Sequence, residues 1–463
     1  MRSSLALILA FLAPAPAAAQ PYPLAESQAL ALAQETIALR SVQGPGNRTI
    51  DVARVLAEAL REGGWAERAI EIVPVDDTAY LIATWPGSDP SLGPIVLSAH
   101  MDVVEAKPED WERDPFTPVV ENGFLYGRGA SDTKFEAALA VATLIELRRQ
   151  GFQPKRSIVV AYSGDEETTM KTSQLISERL RHAQLVMNID GSSGTLSEET
   201  GEPLYWSWQG AEKTYMDFQL EVTSPGGHSS MPRPDNAIAQ MARALERISA
   251  YRFPPEINAI TRGYFEKAAA IYPDARIAAA MRAFAADPTD AEAIAVLRDD
   301  PAMIGRIGTT CVPTLVSGGH AINALPQRVT ALVNCRVFPG HTRARIQAEL
   351  ERVAATPEVV FTDMTGETAT ESEASPVRPE FIEVFEKGIA EAWGELPIFP
   401  TQSSGASDSM WYRALGVPSY GASPSFIKES DEFAHGLNER IPLANIRPGV
   451  SYYLSVLRAL ASR

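Results

Sequence analysis

The chain has 463 residues, of which 45% are hydrophobic and 21% are charged. This composition is typical of a globular protein that is long enough to form two domains. The formal net charge of -17 argues against nucleic-acid binding, which requires a basic surface, so we expect no nucleic-acid partner.

Residues 1–19 have the pattern of a secretory signal peptide. Arg2 supplies a positive start, an apolar stretch follows, and three alanines, residues 17–19, provide a cleavage site. The apolar stretch is shorter than the ~20 residues that span a bilayer. We therefore expect a secreted protein, periplasmic or extracellular, with no stable membrane span after cleavage. An uncleaved membrane anchor is the alternative.

The first half of the mature chain alternates predicted helices and strands. A helix is predicted over residues 24–42, a strand over IVLSAH (95–100), a helix over 134–150 and a strand over SIVVAYSG (157–164). This alternation predicts an α/β fold with a mostly parallel sheet flanked by helices.

Near Gly210 the pattern changes to that of a smaller α+β unit. Strands and helices are predicted in the order of a split β-α-β unit, which is ferredoxin-like, at residues 214–224, 236–249, 312–318, 328–338, 343–355 and 359–364. An alanine-rich helical insert, residues 254–306, interrupts this unit. The first pattern returns near Thr370 with helices over 379–393 and 444–460. We therefore expect a main domain formed by residues 20–209 and 367–463, with residues 210–366 inserted as a second domain.

The two cysteines flank a predicted turn. An antiparallel hairpin centred near Asn323 would place Cys311 opposite Cys335. Secretion permits a disulfide, but two buried free thiols fit the sequence equally well.

Metal-ligand residue types follow several of the predicted strands. His100 ends the strand IVLSAH with Asp102 two residues later, Glu166 and Glu167 follow SIVVAYSG, and Asp190 follows LVMN. Since ligands in α/β folds bind at the carboxyl ends of strands, we expect these side chains to gather at one sheet edge. Taken singly, the glutamates could decorate a helix N-terminus, and Asp190 could be a turn residue.

Two further candidates lie in predicted loops. Asp132 stands between a glycine-rich turn and a helix, where helix capping is the alternative role. His435 lies in a loop near the C-terminus and could be an ordinary surface histidine. Together with the strand-end residues, these two could complete a site in which each of two zinc ions binds one histidine and two carboxylates, one of them shared. The carboxylates of Asp132, Glu167 and Asp190, with one hydroxide, balance two divalent cations.

At this point the sequence resembles a known family. The stretches SAHMDVV, GRGASDTK, SGDEE, NIDG, GGHSS, NALP, NCRVFPG and EFAHGLNE occur between about residues 95 and 440. In that order they resemble the co-catalytic zinc aminoacylase/carboxypeptidase family, which includes aminoacylase, carboxypeptidase G, carnosinase-type dipeptidases and carboxypeptidase S.

The resemblance implies a role for each matching residue in the main, catalytic domain. His100 and Asp190 would bind one zinc ion, Glu167 and His435 the other, and Asp132 would bridge the two. Cobalt or manganese could replace zinc in such a ligand set. Asp102 would brace His100. Glu166 would be the general base that activates the zinc-bridging water.

The resemblance also implies roles in the second domain, which acts as a lid. His228 would stabilise the oxyanion, and Asn323 and Arg336 would hold the free carboxylate of the substrate. A turn histidine and a surface salt bridge are the ordinary alternatives for His228 and Arg336. In many relatives the lid also pairs two subunits, so a monomer and a homodimer both remain possible.

The sequence departs from the family pattern in two places. Asp190 stands where several relatives carry glutamate, and the insert at 254–306 is absent from shorter relatives. Within the insert, Phe265, Ile271 and Met281 could line a wall for an apolar acyl group, although ordinary helix packing explains them as well.

The resemblance implies a secreted dizinc hydrolase of the carboxypeptidase/aminoacylase type. It would cleave the amide bond next to a free carboxylate in a short peptide or an N-acyl amino acid. A dipeptidase, another deacylase of the same family, and a catalytically silent metal- or solute-binding protein are the alternatives. The intact Glu166 disfavours the last of these.

Overall fold

The computed structural model of the chain describes residues 21–463. The predicted signal peptide, residues 1–19, lies outside the described residues. None of the helices within residues 21–463 combines the length and the hydropathy that crossing a membrane requires.

The helices lie close to their predicted positions. In chain order they are α1 (Pro23–Ile37), α2 (Thr49–Glu62), α3 (Lys134–Arg149), α4 (Lys171–Arg179), α5 (Ala237–Ala250), α6 (Ala259–Ala268), α7 (Ala275–Ala286), α8 (Ala291–Asp299), α9 (Pro301–Ile304), α10 (Arg343–Ala354), α11 (Pro379–Trp393), α12 (Ser409–Ala414) and α13 (Ile446–Ala461). The first helix ends earlier than predicted, at Ile37. At this end of the helix the buried Lys134 ammonium donates hydrogen bonds to the carbonyl oxygens of Thr36 and Leu39, at 3.0 and 2.9 Å. A lysine commonly binds the last carbonyl groups of a helix in this way.

The strands are more numerous than the sequence pattern indicated. In chain order they are β1 (Ile70–Val75), β2 (Thr78–Trp85), β3 (Ile95–His100), β4 (Val119–Glu121), β5 (Phe124–Tyr126), β6 (Ile158–Ser163), β7 (Leu185–Asn188), β8 (Gly194–Leu196), β9 (Pro203–Glu212), β10 (Thr214–Thr223), β11 (Gly227–His228), β12 (Thr310–Gly318), β13 (Ala324–Leu325), β14 (Arg328–Val337), β15 (Val360–Asp363), β16 (Ile398–Ser403), β17 (Ser419–Gly421), β18 (Phe426–Ile427) and β19 (Arg440–Pro442).

The large sheet confirms the predicted α/β fold. Its strand order is β1-β2-β6-β3-β7-β17-β9-β8-β18, and β16 pairs with β9. The central strands β6, β3, β7 and β17 are all parallel, whereas the pairs β1-β2 and β2-β6 are antiparallel. The carboxyl ends of β6, β3 and β7 therefore meet at one edge of the sheet, as parallel neighbours must.

Helix α3 is buried around almost its whole circumference. Residues 134–147 are all buried, because the helix lies against β3, α1 and α13. A helix enclosed in this way needs mostly apolar side chains on every face, and its alanine-rich sequence provides them; Lys134, Glu136 and Glu146 are its buried charged residues. The start of α3 is consequently held rigidly beside the sheet.

A second sheet has the strand order β12-β14-β10-β15, with antiparallel pairing throughout. Buried and partly buried residues alternate along β10 and β14, and helices α5 and α10 cover the buried face. This order and connectivity are those of the predicted ferredoxin-like unit. The domain boundaries at 209/210 and 366/367 remain predictions.

The insert, residues 254–306, forms helices α6 to α9 with an apolar core of their own. Phe265 and Met281 are fully buried in that core, which also contacts Phe399 on β16. Ile271 is 40% exposed. The hypothesis that these residues line an acyl-binding wall is therefore not supported, since Phe265 and Met281 serve helix packing and the insert lies against the large sheet.

The structure decides the state of the two cysteines. Cys311 on β12 lies directly opposite Cys335 on β14, with 4.1 Å between the Cα atoms, and the two form a disulfide. The hairpin predicted from the sequence brings them together, and the bond joins an edge strand to the centre of its sheet.

Removing this disulfide should destabilise the second sheet. The bond closes a segment of 24 residues, so a Cys311→Ala/Cys335→Ala protein should lose about 3 kcal/mol of unfolding free energy through a less restricted unfolded chain. Urea unfolding with and without reductant measures this. Reductant should shift the native protein towards the variant and leave the variant unchanged; two titratable thiols in the unreduced native protein would contradict the assignment.

Candidate metal centre and active site

The edge of the large sheet brings the strand-end residues together as expected. His100 is the last residue of β3, Glu166 and Glu167 follow β6, and Asp190 follows β7. These three strands are adjacent and parallel, so the loops that leave them open at the same place.

One side of the site is built around His100. The ring is 1% exposed, and its Nε2 atom lies 2.7 Å from Asp132 Oδ1 and 3.7 Å from Asp190 Oδ1. Its Nδ1 atom donates a hydrogen bond of 3.0 Å to the main-chain carbonyl oxygen of Asp102. That bond leaves Nε2 free to face the two carboxylates, which is the orientation a metal-binding histidine requires.

The other side is built around His435, from the loop between β18 and β19. Its Nε2 atom lies 2.9 Å from Glu167 Oε1 and 3.1 Å from Asp132 Oδ2. Asp132 thus presents one oxygen to each histidine. His435 has a φ of 60°, in the left-handed region, which histidine adopts more often than most other non-glycine residues do.

The donor atoms form two overlapping triples that share Asp132. His100, Asp132 and Asp190 make one triple, and Asp132, Glu167 and His435 make the other; within each triple the donor atoms lie within 4.8 Å of one another. Imidazole nitrogen combined with carboxylate oxygen suits zinc, and also cobalt or manganese. The residues present therefore fit a pair of divalent cations bridged by one carboxylate.

The electrostatics of the cluster favour positive charge at both histidines. Burial alone would lower the pKa of His100, but the carboxylates of Asp190, Asp102 and Asp132 outweigh it and raise that pKa well above its ordinary value. Hydrogen bonds to Asp132 and Glu167 raise the pKa of His435 to about 10. A site with this surplus of negative charge attracts divalent cations.

Glu166 lies in the same cavity but belongs to neither triple. The cavity has a volume of about 330 Å³, and Asp132, Glu166, Glu167, Asp190 and His435 line it. Burial raises the pKa of Glu166 well above its ordinary value. Its carboxylate makes no hydrogen bond with the other described residues, so it is available to a ligand in the cavity.

Asp102 contacts two parts of the site. Its carboxylate lies 3.6 Å from His100 Nδ1 and accepts the main-chain N–H groups of Glu166 and Glu167, at 3.1 and 3.0 Å. The carbonyl oxygen of Asp102 orients His100. One residue therefore positions both the strand-end histidine and the neighbouring acidic loop.

The predicted lid residues lie outside this cavity. His228 and Asn323 are exposed on the small ribbon formed by β11 and β13, where the Asn323 carbonyl accepts from Ser229. Arg336 is on β14; its guanidinium lies over the Tyr215 ring and donates to the Ser404 carbonyl at 3.2 Å. The structure thus brings the candidate metal-binding residues together, but His228, Asn323 and Arg336 lie apart from them.

Glu439 is a positioning residue that sequence reasoning missed. Its fully buried carboxylate pairs with Arg128 at 2.6 Å and accepts the main-chain N–H groups of Gly129, Ser131 and Asp132. It therefore shapes the turn that carries Asp132. The stretch EFAHGLNE contained it, but nothing in a single sequence distinguishes a buried glutamate in a loop from an exposed one.

Comparison with known proteins identifies relatives along most of the chain. The model of Peptidase family M20/M25/M40 matches residues 96–459. The N-fatty-acyl-amino acid synthase/hydrolase PM20D1 of Xenopus tropicalis is 28% identical over 386 residues, which cover 80% of this chain and 73% of that protein. Aminoacylase-1 of Sus scrofa is 26% identical over 447 residues, covering 94% and 96%.

A solved structure shares the fold. The M20 family metallo-carboxypeptidase Sso-CP2 from Sulfolobus solfataricus superposes with a TM-score of 0.68 at 17% identity, covering 93% of this chain and 98% of that one. The likeness extends over both sheets, and at this identity it concerns the fold alone.

Replacing Glu439 should destabilise the turn at residues 128–132. In a Glu439→Gln protein the Arg128 charge stays buried without its partner, so we expect a loss of about 3 kcal/mol of unfolding free energy. Urea denaturation followed by circular dichroism measures it. Glu105→Gln is the matched control, because it breaks a partly exposed ion pair: the Glu105 side chain is 53% exposed and that of its partner Arg40 is 32% exposed. This variant should lose about 1 kcal/mol of unfolding free energy or less. Equal losses would contradict the role given to Glu439.

Proposed function

Because the chain belongs to Peptidase family M20/M25/M40, we propose that it is a secreted zinc-dependent hydrolase that cleaves the amide bond next to a free carboxylate. Its substrates are short peptides or N-acyl amino acids. Hydrolysis of amide bonds is the activity of its family. The observation that carries the finer proposal is the carboxylate of Asp132, shared between two histidine-carboxylate triples at a cavity that also contains Glu166.

Five residues would hold the two zinc ions: His100 and Asp190 one, Glu167 and His435 the other, with Asp132 between them. When bound, the two ions supply Lewis acidity, which polarises the scissile carbonyl and lowers the pKa of water. The three carboxylates would offset three of the four positive charges of such a pair of dications.

Glu166 is the proposed general base. Its carboxylate accepts a proton from the attacking water as the new C–O bond forms at the carbonyl carbon. It then delivers that proton to the amide nitrogen as the C–N bond breaks, so that an amide and water give a carboxylic acid and an amine. Asp102 supports this role by holding the main chain of Glu166.

In this proposal the three predicted lid residues bind the other part of the substrate. Arg336 keeps guanidinium N–H groups beyond its bond to Ser404, and with Asn323 it would bind the free carboxylate. His228 would stabilise the oxyanion. Since these three lie outside the cavity, the proposal requires the second domain to close over the large sheet when substrate binds, as hinged domains do.

Secretion forms part of the proposal. The N-terminal sequence supports it, and so does the disulfide between Cys311 and Cys335, because disulfides persist in oxidising compartments.

Replacing the proposed base should stop turnover without removing the metals. Glu166→Gln should lower kcat by about 10²- to 10⁴-fold, because the proton transfer is lost. Metal analysis should still find two zinc ions per chain, since Glu166 is in neither triple. Amine release from dipeptides and N-acyl amino acids by the mature, zinc-loaded protein measures the activity. Unchanged turnover in Glu166→Gln would contradict the proposed mechanism.

The demand for a free carboxylate should depend on Arg336. Converting the substrate carboxylate to its amide should lower kcat/KM by about 10- to 100-fold in the native protein, and by much less in Arg336→Ala. Arg328→Ala is the control, because Arg328 is exposed on the same strand and pairs with Glu221. If amidation costs the native and Arg336→Ala proteins the same factor, Arg336 does not bind the carboxylate.

A further inference from the structure

The active-site cavity extends past the candidate metal centre to a buried glutamate that the mechanism does not use. Glu136 lies in the first turn of α3, is 4% exposed, and lines the cavity together with Ser423 and Ser425. These residues lie on the large-sheet side of the site, away from the lid residues. The cavity that the candidate metal-binding residues line is thus also lined by this carboxylate.

Only neutral groups of the chain contact this carboxylate. Glu136 Oε2 accepts from the Tyr453 hydroxyl at 2.7 Å, and Oε1 accepts from Ser423 at 3.2 Å and from Ser425. Tyr453 is fully buried on α13, whereas the two serines line the cavity. One oxygen is thus held by the core, and the other is held by two buried serines that line the cavity.

Each of the other buried glutamates forms an ion pair with an arginine. Glu439 pairs with Arg128, Glu212 pairs with Arg413 at 3.0 Å, and Glu146 pairs with Arg149. Among residues 21–463, Glu136 is the buried glutamate without a cationic partner.

A carboxylate buried without a cation is costly, and proteins normally pair such a group. Burial raises the pKa of Glu136, as expected where the chain itself supplies no positive charge. The missing partner can come from the substrate, because the group lies in the cavity.

We propose that Glu136, with Ser423 and Ser425, binds a primary ammonium group on the acyl side of the substrate. This rests on the proposed function, in which Arg336 and Asn323 hold the carboxylate on the opposite side of the scissile bond. An ammonium has three N–H donors, which Glu136 Oε1 and the two serine oxygens can accept. The protein therefore prefers amino-acyl substrates, that is short peptides, to N-acyl amino acids with an apolar acyl group.

Glu136 would also account for the proposed preference for amino-acyl over apolar acyl substrates. An apolar acyl chain in this part of the cavity would desolvate the Glu136 carboxylate without donating a hydrogen bond to it. A site with a buried polar group discriminates strongly against substrate analogues that leave this group without a hydrogen-bond partner. An apolar pocket discriminates much less between substrates that differ by a small apolar group.

A matched pair of substrates tests the inference. L-Alanyl-L-leucine and N-propionyl-L-leucine differ only in the ammonium group, and kcat/KM is measured for both with the zinc-loaded mature protein. The native protein should favour the alanyl substrate by about 10- to 100-fold, and Glu136→Gln should reduce this ratio at least about 10-fold. Glu136→Leu should in addition cleave the propionyl substrate faster than Glu136→Gln does.

Glu146→Gln is the matched control, because Glu146 is a buried glutamate on the same helix with its own arginine partner, and it should leave the ratio unchanged. Thermal unfolding checks that each variant is folded. If Glu136→Gln does not fold, Ser423→Ala/Ser425→Ala keeps the carboxylate and should lower the same ratio. A native protein that cleaves both substrates equally well, or a ratio that Glu136→Gln does not change, overturns the inference.

A binding measurement separates this inference from the proposed function. Dissociation constants of the two compounds are measured by calorimetry in the zinc-loaded Glu166→Gln protein and in the Glu136→Gln/Glu166→Gln protein. If the native protein cleaves neither compound while binding still favours the alanyl one through Glu136, the proposed function fails and the ammonium site stands. If both are cleaved and binding shows no such preference, the ammonium site alone fails.

Discussion

The carboxylate of Asp132 is the constraint on which the site depends. Its two oxygens face His100 and His435, which are far apart in the sequence. Both triples of candidate ligands include Asp132, so each depends on its position. Its own position is set by Glu439, which binds the main chain of the preceding turn. Large separations in sequence are thus closed by a few short polar contacts, and the rigid sheet and α3 keep those contacts in place.

Buried charge is used for two purposes in this protein. Where structure is needed, a glutamate is paired with an arginine, as Glu439 is with Arg128 and Glu212 with Arg413. At Glu136 the carboxylate has only neutral donors, and at the candidate metal centre the carboxylates lie beside one another and two histidines. Under the two proposals made above, the stabilising positive charge at both places would come from the bound ligand.

In the proposed function, different sheets recognise different parts of the substrate. The large sheet carries the candidate metal-binding residues and the cavity, the second sheet carries Arg336, and the separate exposed ribbon of β11 and β13 carries His228. The helical insert, residues 254–306, packs against β16 of the large sheet and buries Phe265 and Met281 in its own core. Selectivity for the acyl group is therefore expected from the cavity residues beside the metals rather than from the insert.

The sequence by itself determined most of the long helices and the ends of the central strands. Hydrophobic periodicity locates β3, β6 and β7, and parallel neighbours must present His100, Glu166 and Asp190 at one edge. Only the tertiary structure decided that the Asp102 carboxylate holds the acidic loop, that Glu439 shapes the turn before α3, and that the cysteines are bonded. Those contacts join segments distant in sequence, and a local pattern records the burial period of an element but not which distant group will lie against it.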